Sequence, residues 1–213
     1  MSFVQLNLFD NNYNKDNLSI ADKWENLKKE CLSCTKCRLY ETRTNVVFSD
    51  GNINALIVVI GEGPGENEDK TGIPFVGKAG QLLDKIFESI GLNRQEDLLI
   101  INVVKCRPPN NRTPLDDEIK ACFDYLKKQI ELSKGKILLL TGATALKAIL
   151  NINSGISKVR GKWFEWNNKF VMPIFHPSYL LRNPSKEVGS PKWLTWQDFK
   201  NIKQKYDELK NKI

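Results

Sequence analysis

Six consecutive apolar residues, Ala55 to Ile60, constrain the fold of this chain more than any other stretch. A strand that faces water on one side alternates apolar and polar residues, whereas a strand covered on both faces is apolar throughout. Three further runs of this kind are Leu98 to Val104, Ile137 to Thr141 and Phe170 to Phe175. Helical patterns separate the runs, beginning after Gly77, Pro114 and Gly142. The alternation predicts an α/β fold, a three-layer sandwich with a mainly parallel, four-stranded central sheet flanked by helices.

The predicted domain spans residues 19–213 and follows a flexible N-terminal tail, residues 1–18. A last helical pattern runs from about Pro191 to Lys210. It carries five large aromatic or apolar residues at helical spacing: Trp193, Trp196, Phe199, Ile202 and Tyr206. We expect this stripe to pack into the core rather than to form a cofactor site.

Charge and composition narrow the class of protein. The 213 residues carry a formal net charge of +7, from 32 basic and 25 acidic residues, which favours a polyanionic partner. No stretch has the roughly twenty apolar residues of a membrane helix, and Met1 to Asp10 lacks the pattern of a secretory signal. We therefore expect a cytoplasmic protein that does not enter a membrane.

A glycine-rich turn, Gly61-Glu62-Gly63-Pro64-Gly65, follows the first apolar run. Its three glycines would let a ligand come close to the main-chain amides. The spacing matches neither the Gly-x-Gly-x-x-Gly fingerprint of dinucleotide sites nor the lysine-serine ending of phosphate loops. The turn is therefore either part of a ligand site without a nucleotide or a tight turn with no function.

The only histidine of the chain lies where the last apolar run ends, in His176-Pro177-Ser178-Tyr179-Leu180-Leu181-Arg182. Pro177 biases His176 away from helical backbone angles, so we expect the imidazole at a strand end. Two leucines and an arginine follow, and such an apolar wedge with a cation is typical of a loop that inserts into a partner. The alternative is a core histidine followed by an ordinary helix start.

Three polar residues, Glu62, Asn102 and His176, lie at or near the ends of predicted strands. The carboxyl ends of parallel strands meet at one edge of a sheet, and ligands of α/β proteins bind there. The sequence therefore predicts a functional site at this edge.

Five cysteines require an explanation. Cys31, Cys34 and Cys37 have the spacing C-x-x-C-x-x-C, Cys106 follows the second strand, and Cys122 lies one helix further on. Four thiolates brought together suit either tetrahedral zinc or an iron-sulfur cluster. The lack of a second Cys-x-x-C pair or a nearby histidine weakens the zinc-ribbon interpretation, and buried cysteines without a metal are a third alternative. The spacing alone does not decide which four residues would be ligands.

Several motifs occur in one order between about residues 30 and 205. They are Gly61-Glu62-Gly63-Pro64-Gly65-Glu66, Gly72-Ile73-Pro74-Phe75-Val76-Gly77, Asn102-Val103-Val104-Lys105-Cys106-Arg107-Pro108-Pro109 and the segment from His176 to Arg182. Together they resemble the motifs of the family 4 uracil-DNA glycosylases. The resemblance implies a base excision repair enzyme that flips uracil out of DNA and hydrolyses the N-glycosidic bond, leaving an abasic site.

The resemblance also implies a four-iron, four-sulfur (4Fe-4S) cluster. The cysteines that match its ligands are Cys34, Cys37, Cys106 and Cys122, which leaves Cys31 as the spare. We expect the cluster to be structural and to join the N-terminal helix to the loop after the second strand.

Three matching residues would recognise the base. Phe75 resembles the family's stacking residue for the flipped uracil. The carboxamide of Asn102 can accept from uracil N3–H and donate to O4, whereas cytosine presents the opposite pattern. Glu68 is the candidate that rejects the methyl group of thymine.

Catalysis would depend on charge that develops on the base. The uracil leaves as an anion, and His176 is placed to donate a hydrogen bond to its O2. Gly63 occupies the position where glycosylases with a Gly-Gln-Asp-Pro motif carry the aspartate that positions water. Either Glu62 orients the water, or water captures an already formed oxocarbenium-like sugar with help from phosphate.

The resemblance also implies that the protein is a monomer that binds uracil-containing DNA, either single- or double-stranded. It assigns residues to the contact with this DNA. Leu180 and Leu181 fit the need for an apolar wedge that fills the space of the flipped base, and Arg182 fits the flanking phosphate.

The N-terminal sequence Gln5-Leu6-Asn7-Leu8-Phe9 resembles the short peptide by which bacterial proteins bind the replication sliding clamp. Gln5, Leu6, Leu8 and Phe9 would make the contacts, and the polar segment from Asp10 to Leu18 would act as a tether. The alternative is a short apolar tail that packs on the domain.

Two other classes of protein explain part of the sequence. An iron-sulfur electron-transfer module would explain the cysteines, and a zinc-stabilised DNA-binding module would explain the charge and the thiolates. Neither gives a reason for Phe75, Asn102 and His176 to converge at the strand ends.

Overall fold

A computed structural model describes residues 18–212 of the chain. The strands in this range are β1 (Asp50–Gly51), β2 (Ile57–Gly61), β3 (Leu98–Asn102), β4 (Ile137–Thr141), β5 (Phe164–Trp166) and β6 (Lys169–Ile174). The α-helices are α1 (Ile20–Leu32), α2 (Glu66–Thr71), α3 (Lys78–Glu88), α4 (Arg94–Asp97), α5 (Asp116–Leu132), α6 (Ala143–Leu150), α7 (Ile156–Val159), α8 (Pro177–Arg182) and α9 (Pro191–Lys210). Short 3-10 helices span Arg38–Glu41 and Pro109–Asn111. None of the helices in the described range is both long enough and apolar enough to cross a bilayer.

The strands form one sheet in the order β1-β3-β2-β4-β6-β5. The central strands β3, β2, β4 and β6 run parallel to one another, as the sequence predicts. Strands β1 and β5 join the two edges in antiparallel orientation, so the sheet has six strands rather than four. Each has only two or three residues, too few to form an apolar run that a sequence pattern could reveal.

Helices cover both faces of the sheet, which confirms the three-layer sandwich. Alternate residues of each strand point to opposite faces. Val58 and Ile60 pack on the side of α1, α5 and α6, whereas Ile57 and Val59 pack on the side of α3 and α9. Because both sets need apolar partners, β2, β3 and β4 are buried along their whole length.

Helix α9 has the predicted bounds but not the whole predicted stripe. Phe199, Ile202 and Tyr206 are buried against the sheet, whereas Trp196 is 42% exposed. Three residues of an α-helix fall about 60° short of a full turn. Trp196 lies two such three-residue steps before Ile202, so its side chain has rotated away from the core. The core prediction is therefore wrong for Trp196.

The carboxyl ends of the parallel strands meet at one edge, as predicted. Gly61 of β2 lies opposite Asn102 of β3. Beyond the strands, the N–H of Val103 donates to the carbonyl of Gly61 at 2.9 Å, and the N–H of Val104 donates to Glu62 at 3.1 Å. These bonds extend the pairing of the two strands into the loops that form the site.

Candidate active site

A cleft of about 400 Å³ opens at the carboxyl edge of the sheet. Seven of the side chains or glycines singled out in the sequence line it: Glu62, Gly63, Glu68, Phe75, Asn102, His176 and Arg182. They come from β3, from the loops after β2 and β6, from α2, from the loop before α3 and from α8. The fold therefore brings together residues that are more than a hundred positions apart in the chain.

Asn102 ends β3 at the floor of this cleft and is only 2% exposed. Its carboxamide oxygen Oδ1 is buried and has no hydrogen-bond partner among residues 18–212. A buried acceptor without a partner costs about 1–3 kcal/mol, so such groups are commonly found where a ligand supplies the donor. The neighbouring strand gives it room, since a Cβ atom on Gly61 would lie 2.2 Å from this oxygen.

Phe75 forms one wall of the cleft with an unusual backbone conformation. Its φ is 54°, in the left-handed region, and its side chain is buried. Gly80 permits this conformation, because a Cβ atom there would lie 1.7 Å from the Phe75 carbonyl oxygen. The centroids of the Phe75 and His176 rings are 5.8 Å apart. The aromatic wall, the imidazole and the Asn102 amide thus border one small space.

Arg94, which no motif singled out, holds the Phe75 loop in place. It donates to the carbonyl of Pro74 at 2.5 Å and to that of Phe75 at 3.2 Å. Its guanidinium also pairs with Asp50 at 2.6 Å and with Asp84 at 2.9 Å, and its side chain is 15% exposed. Planar guanidinium donors can bind several oxygens at fixed angles, so this network fixes the backbone that carries the phenyl ring.

Glu68 is bound by main-chain groups from both loops around it. One carboxylate oxygen accepts from the N–H of Val76 at 2.9 Å and of Gly77 at 2.8 Å. The other accepts from the N–H of Gly65 at 3.1 Å. The carboxylate is therefore a rigid part of the cleft wall and also connects the glycine-rich turn to the Phe75 loop.

His176 is the N-cap of α8, so the alternative interpretation of a helix start is correct for the segment that follows it. The N–H of Ser178 donates to His176 Nδ1 at 3.2 Å, and the Ser178 hydroxyl lies 2.8 Å from the same nitrogen. An N–H group can only donate, so Nδ1 accepts and the proton of the neutral ring is on Nε2. Burial, assisted by the charge of Arg182, lowers the pKa of His176 from 6.5 to about 4.

The glycine-rich turn contributes the carboxylate of Glu62 to the cleft, and its backbone at Gly63 lies close to Val104. The hydroxyl of Thr144, in the first turn of α6, donates to Glu62 Oε2 and so orients that carboxylate. A Cβ atom on Gly63 would lie 2.7 Å from a methyl group of Val104. The backbone at Gly63 is thus too close to the loop after β3 for a side chain at this position unless Val104 shifts.

The two leucines of α8 lie in different environments. Leu180 is 1% exposed and belongs to the interior, whereas Leu181 is 44% exposed. Arg182 ends the helix and lines the cleft. Of the two leucines, only Leu181 is therefore exposed beside Arg182, and Leu180 packs in the interior.

A second, smaller cavity is lined by all five cysteines of the chain, together with Arg43 and Lys105. Arg43 donates to the sulfur of Cys106 at 3.2 Å and to the carbonyl of Cys34 at 2.7 Å. Burial raises the pKa of the Cys31 thiol to about 12 and that of Cys122 to about 11. Neutral thiols would leave the nearby cations without a counter-charge, whereas thiolates bound to metal would provide one.

No three His, Cys, Asp or Glu side chains between residues 18 and 212 are grouped closely enough to bind a single metal ion. A cubane cluster does not need such a group, because each of its four cysteines binds a different iron. The spacing of these residues therefore fits a cluster better than tetrahedral zinc, whose sulfur ligands all lie about 2.3 Å from one ion. The buried lysine and the arginine suit the negative charge of either thiolate-bound group.

The family model described as the uracil DNA glycosylase superfamily matches residues 48–200. This match includes the central sheet and every residue that lines the cleft. The chain belongs to the uracil DNA glycosylase superfamily.

Within this superfamily, the chain is similar to the type-4 uracil-DNA glycosylases. It is 52% identical over 157 residues to that of Thermotoga maritima, an alignment that covers 73% of this chain and 81% of the relative. It is 44% identical over 192 residues to that of Sulfurisphaera tokodaii, with 86% and 84% covered. The identity to that of Archaeoglobus fulgidus is 44% over 168 residues, with 75% and 84% covered.

Proposed function

We propose that this chain removes uracil from DNA in base excision repair, as a monofunctional type-4 uracil-DNA glycosylase that leaves an abasic site. The observation that carries the proposal is the buried oxygen of Asn102, which has no hydrogen-bond partner within residues 18–212 and belongs to a cleft that Phe75 and His176 also line. The superfamily membership and the similarity to type-4 enzymes support it and do not favour an electron-transfer or zinc-stabilised DNA-binding module.

Base recognition follows from the three walls of the cleft. Asn102 Oδ1 accepts from uracil N3–H, and its amide N–H donates to O4, a pattern that cytosine reverses. Phe75 stacks on the face of the flipped base. Glu68 cannot move aside, because three main-chain N–H groups bind it, so the methyl group of thymine meets a fixed carboxylate.

His176 assists the departure of the base. As the glycosidic bond stretches, negative charge develops on uracil, and the Nε2–H of His176 donates to O2. The donor is already oriented by the cap of α8, so no reorganisation is needed during the reaction. Removing one such donor from an enzyme costs about 10²–10³ in rate.

Glu62 is the group that orients water, because Thr144 fixes its carboxylate at the cleft. Gly63 provides no carboxylate for this purpose. Water would then attack the anomeric carbon of a sugar that already resembles an oxocarbenium ion, which demands little nucleophile activation.

The DNA contacts lie beside the cleft. Leu181 fills the space that the flipped nucleotide leaves, Arg182 binds a flanking phosphate, and the net charge of +7 favours the polyanion. Leu180 acts from the interior by fixing α8.

Cys34, Cys37, Cys106 and Cys122 would hold a 4Fe-4S cluster, and Cys31 is a buried fifth thiol that lines the same cavity. When bound, the cluster would supply a covalent crosslink. It would join the loop after α1 to the loop after β3 and to α5.

The domain, residues 19–213, acts as a cytoplasmic monomer, and the tail, residues 1–18, recruits it to the sliding clamp. The clamp-binding peptide, Gln5, Leu6, Leu8 and Phe9, lies outside the described residues. Deleting residues 1–10 is expected to abolish clamp binding in a pull-down and to spare excision from short DNA. Unchanged clamp binding would remove this part of the proposal.

The main experiment uses duplexes that contain U·G, U·A, T·G or no lesion, followed by alkali and gel analysis of strand breaks. We expect cleavage of the two uracil duplexes alone. Asn102→Ala should relax or abolish the choice of base, and His176→Ala should slow excision more than it weakens binding. Wild-type protein that leaves both uracil duplexes intact would refute the proposal.

A further inference from the structure

Lys105 is a fully buried lysine that connects the cleft residue Asn102 to the cysteine cavity. It is 1% exposed, and its ammonium donates to the main-chain carbonyl of Asn102 at 2.6 Å. The same side chain lines the cavity of the cysteines. Lysine is rarely buried without a partner, so this position requires a specific reason.

The potential anionic partners of Lys105 are sulfur atoms. Among the described residues, the side chains that line its cavity include the five cysteines and no carboxylate. These thiols can balance the ammonium only as thiolates, the form in which they bind a metal. An unpaired buried ammonium is strongly unfavourable, so an anionic group in the cysteine cavity is what makes this lysine tolerable. A cluster bound by four thiolates provides that negative charge.

The other partner of Lys105 is the peptide that carries the base-reading amide. The hydrogen bonds from Val103 and Val104 to the Gly61 and Glu62 carbonyls fix the amides that follow Asn102. The ammonium fixes the carbonyl of Asn102 itself. A shift of this carbonyl would turn the backbone from which the Asn102 side chain extends.

We infer that Lys105 is a positioning residue that links the cluster to base recognition by holding the Asn102 peptide while facing the thiolates. This inference rests on the proposed roles of Asn102 and of the four cysteines. The cluster thereby affects which base is bound, although it lies outside the cleft.

The test compares Lys105→Met with Lys169→Met in the cluster-loaded protein. Lys169 is a matched control, because its ammonium also donates to a main-chain carbonyl, that of Gly135 at 2.6 Å, but at the opposite edge of the sheet. Visible absorbance measures the cluster. Fluorescence anisotropy measures binding to an oligonucleotide with non-cleavable 2′-fluoro-2′-deoxyuridine and to the same sequence with thymidine.

We expect Lys105→Met to lower the preference for the uracil oligonucleotide about tenfold, the usual effect of losing one hydrogen bond to a charged group. Lys169→Met should change it less than about twofold. In the Asn102→Ala background, Lys105→Met should have almost no further effect, because both substitutions act on one group. Equal preferences in the two methionine variants, or additive effects with Asn102→Ala, would overturn the inference.

Two controls separate the possible failures. If Asn102→Ala alone leaves the preference for uracil unchanged, the proposed role of Asn102 is wrong, and the inference about Lys105, which rests on that role, is overturned with it. If Lys105→Met binds less cluster, Lys105→Arg shows whether the loss of uracil preference is separate from the loss of cluster, since arginine keeps the charge and the hydrogen-bond donors. Recovery of absorbance together with uracil preference supports the inference, and recovery of absorbance alone overturns it.

Discussion

His176 is expected to remain neutral far below the pH at which histidines usually titrate. Burial of the ring, with a contribution from the charge of Arg182, lowers its pKa from 6.5 to about 4. Between these values the unfolded chain binds a proton that the folded protein does not. Stability therefore falls as the pH falls from about 6.5 to about 4, and His176 adds no pH dependence above that range. At about 1.4 kcal/mol for each pH unit, the whole loss is about 3 kcal/mol.

The measurement is direct because the chain has one histidine. In protein without an added tag, the imidazole proton resonances should titrate with a midpoint near 4. Urea unfolding should show that wild type loses about 2–3 kcal/mol more than His176→Asn between about pH 7 and about pH 4.5. Asparagine is a suitable control, since it can still cap α8.

Visible absorbance must stay constant in both proteins over this range, so that loss of the cluster does not enter the difference. An imidazole midpoint near that of a free histidine, or equal pH dependence in wild type and His176→Asn, would refute the argument that burial keeps the ring neutral.

Four further substitutions test the geometry of the cleft. Gly61→Ala should abolish excision in a folded protein, because its Cβ atom would lie 2.2 Å from Asn102 Oδ1, and full activity with an unchanged circular dichroism melt would contradict this. Arg94→Lys keeps the charge but cannot bind both carbonyls of the Phe75 loop, so kcat/KM should fall about tenfold, whereas an unchanged value would show that the loop holds its own conformation. Leu180→Ala should cost about 3 kcal/mol in urea unfolding, and Leu181→Ala less than about 0.5 kcal/mol. Only Leu181→Ala should reduce the fluorescence increase of 2-aminopurine placed beside uracil. If Leu180→Ala reduced it and Leu181→Ala did not, Leu180 would be the wedge and Leu181 the structural residue.

The central sheet could be predicted because buried parallel strands are apolar on both faces, and few other structures need such runs. The edge strands gave no such signal. One clue to β5 was present, however, since Asn167-Asn168 has φ values of 48° and 58° and forms the turn between β5 and β6. Asparagine tolerates left-handed angles, so a two-residue asparagine turn between short aromatic segments indicates a hairpin.

The motif residues of the site could also be predicted, but their supports could not. Arg94 contacts carbonyls about twenty positions away, and Thr144 contacts Glu62 across 82 positions. Such contacts depend on how helices pack on the sheet, which no local pattern encodes. Lys105 lies within a motif, yet its burial contradicts the usual behaviour of lysine and was not foreseen.

The cap of α8 has a chemical consequence for the base that leaves. Ser178 and His176 are two positions apart, so the choice of imidazole tautomer is made by the local turn of the chain and not by the substrate. A redesign that moved the beginning of this short helix by even one residue would therefore also relocate the hydrogen that the departing pyrimidine needs.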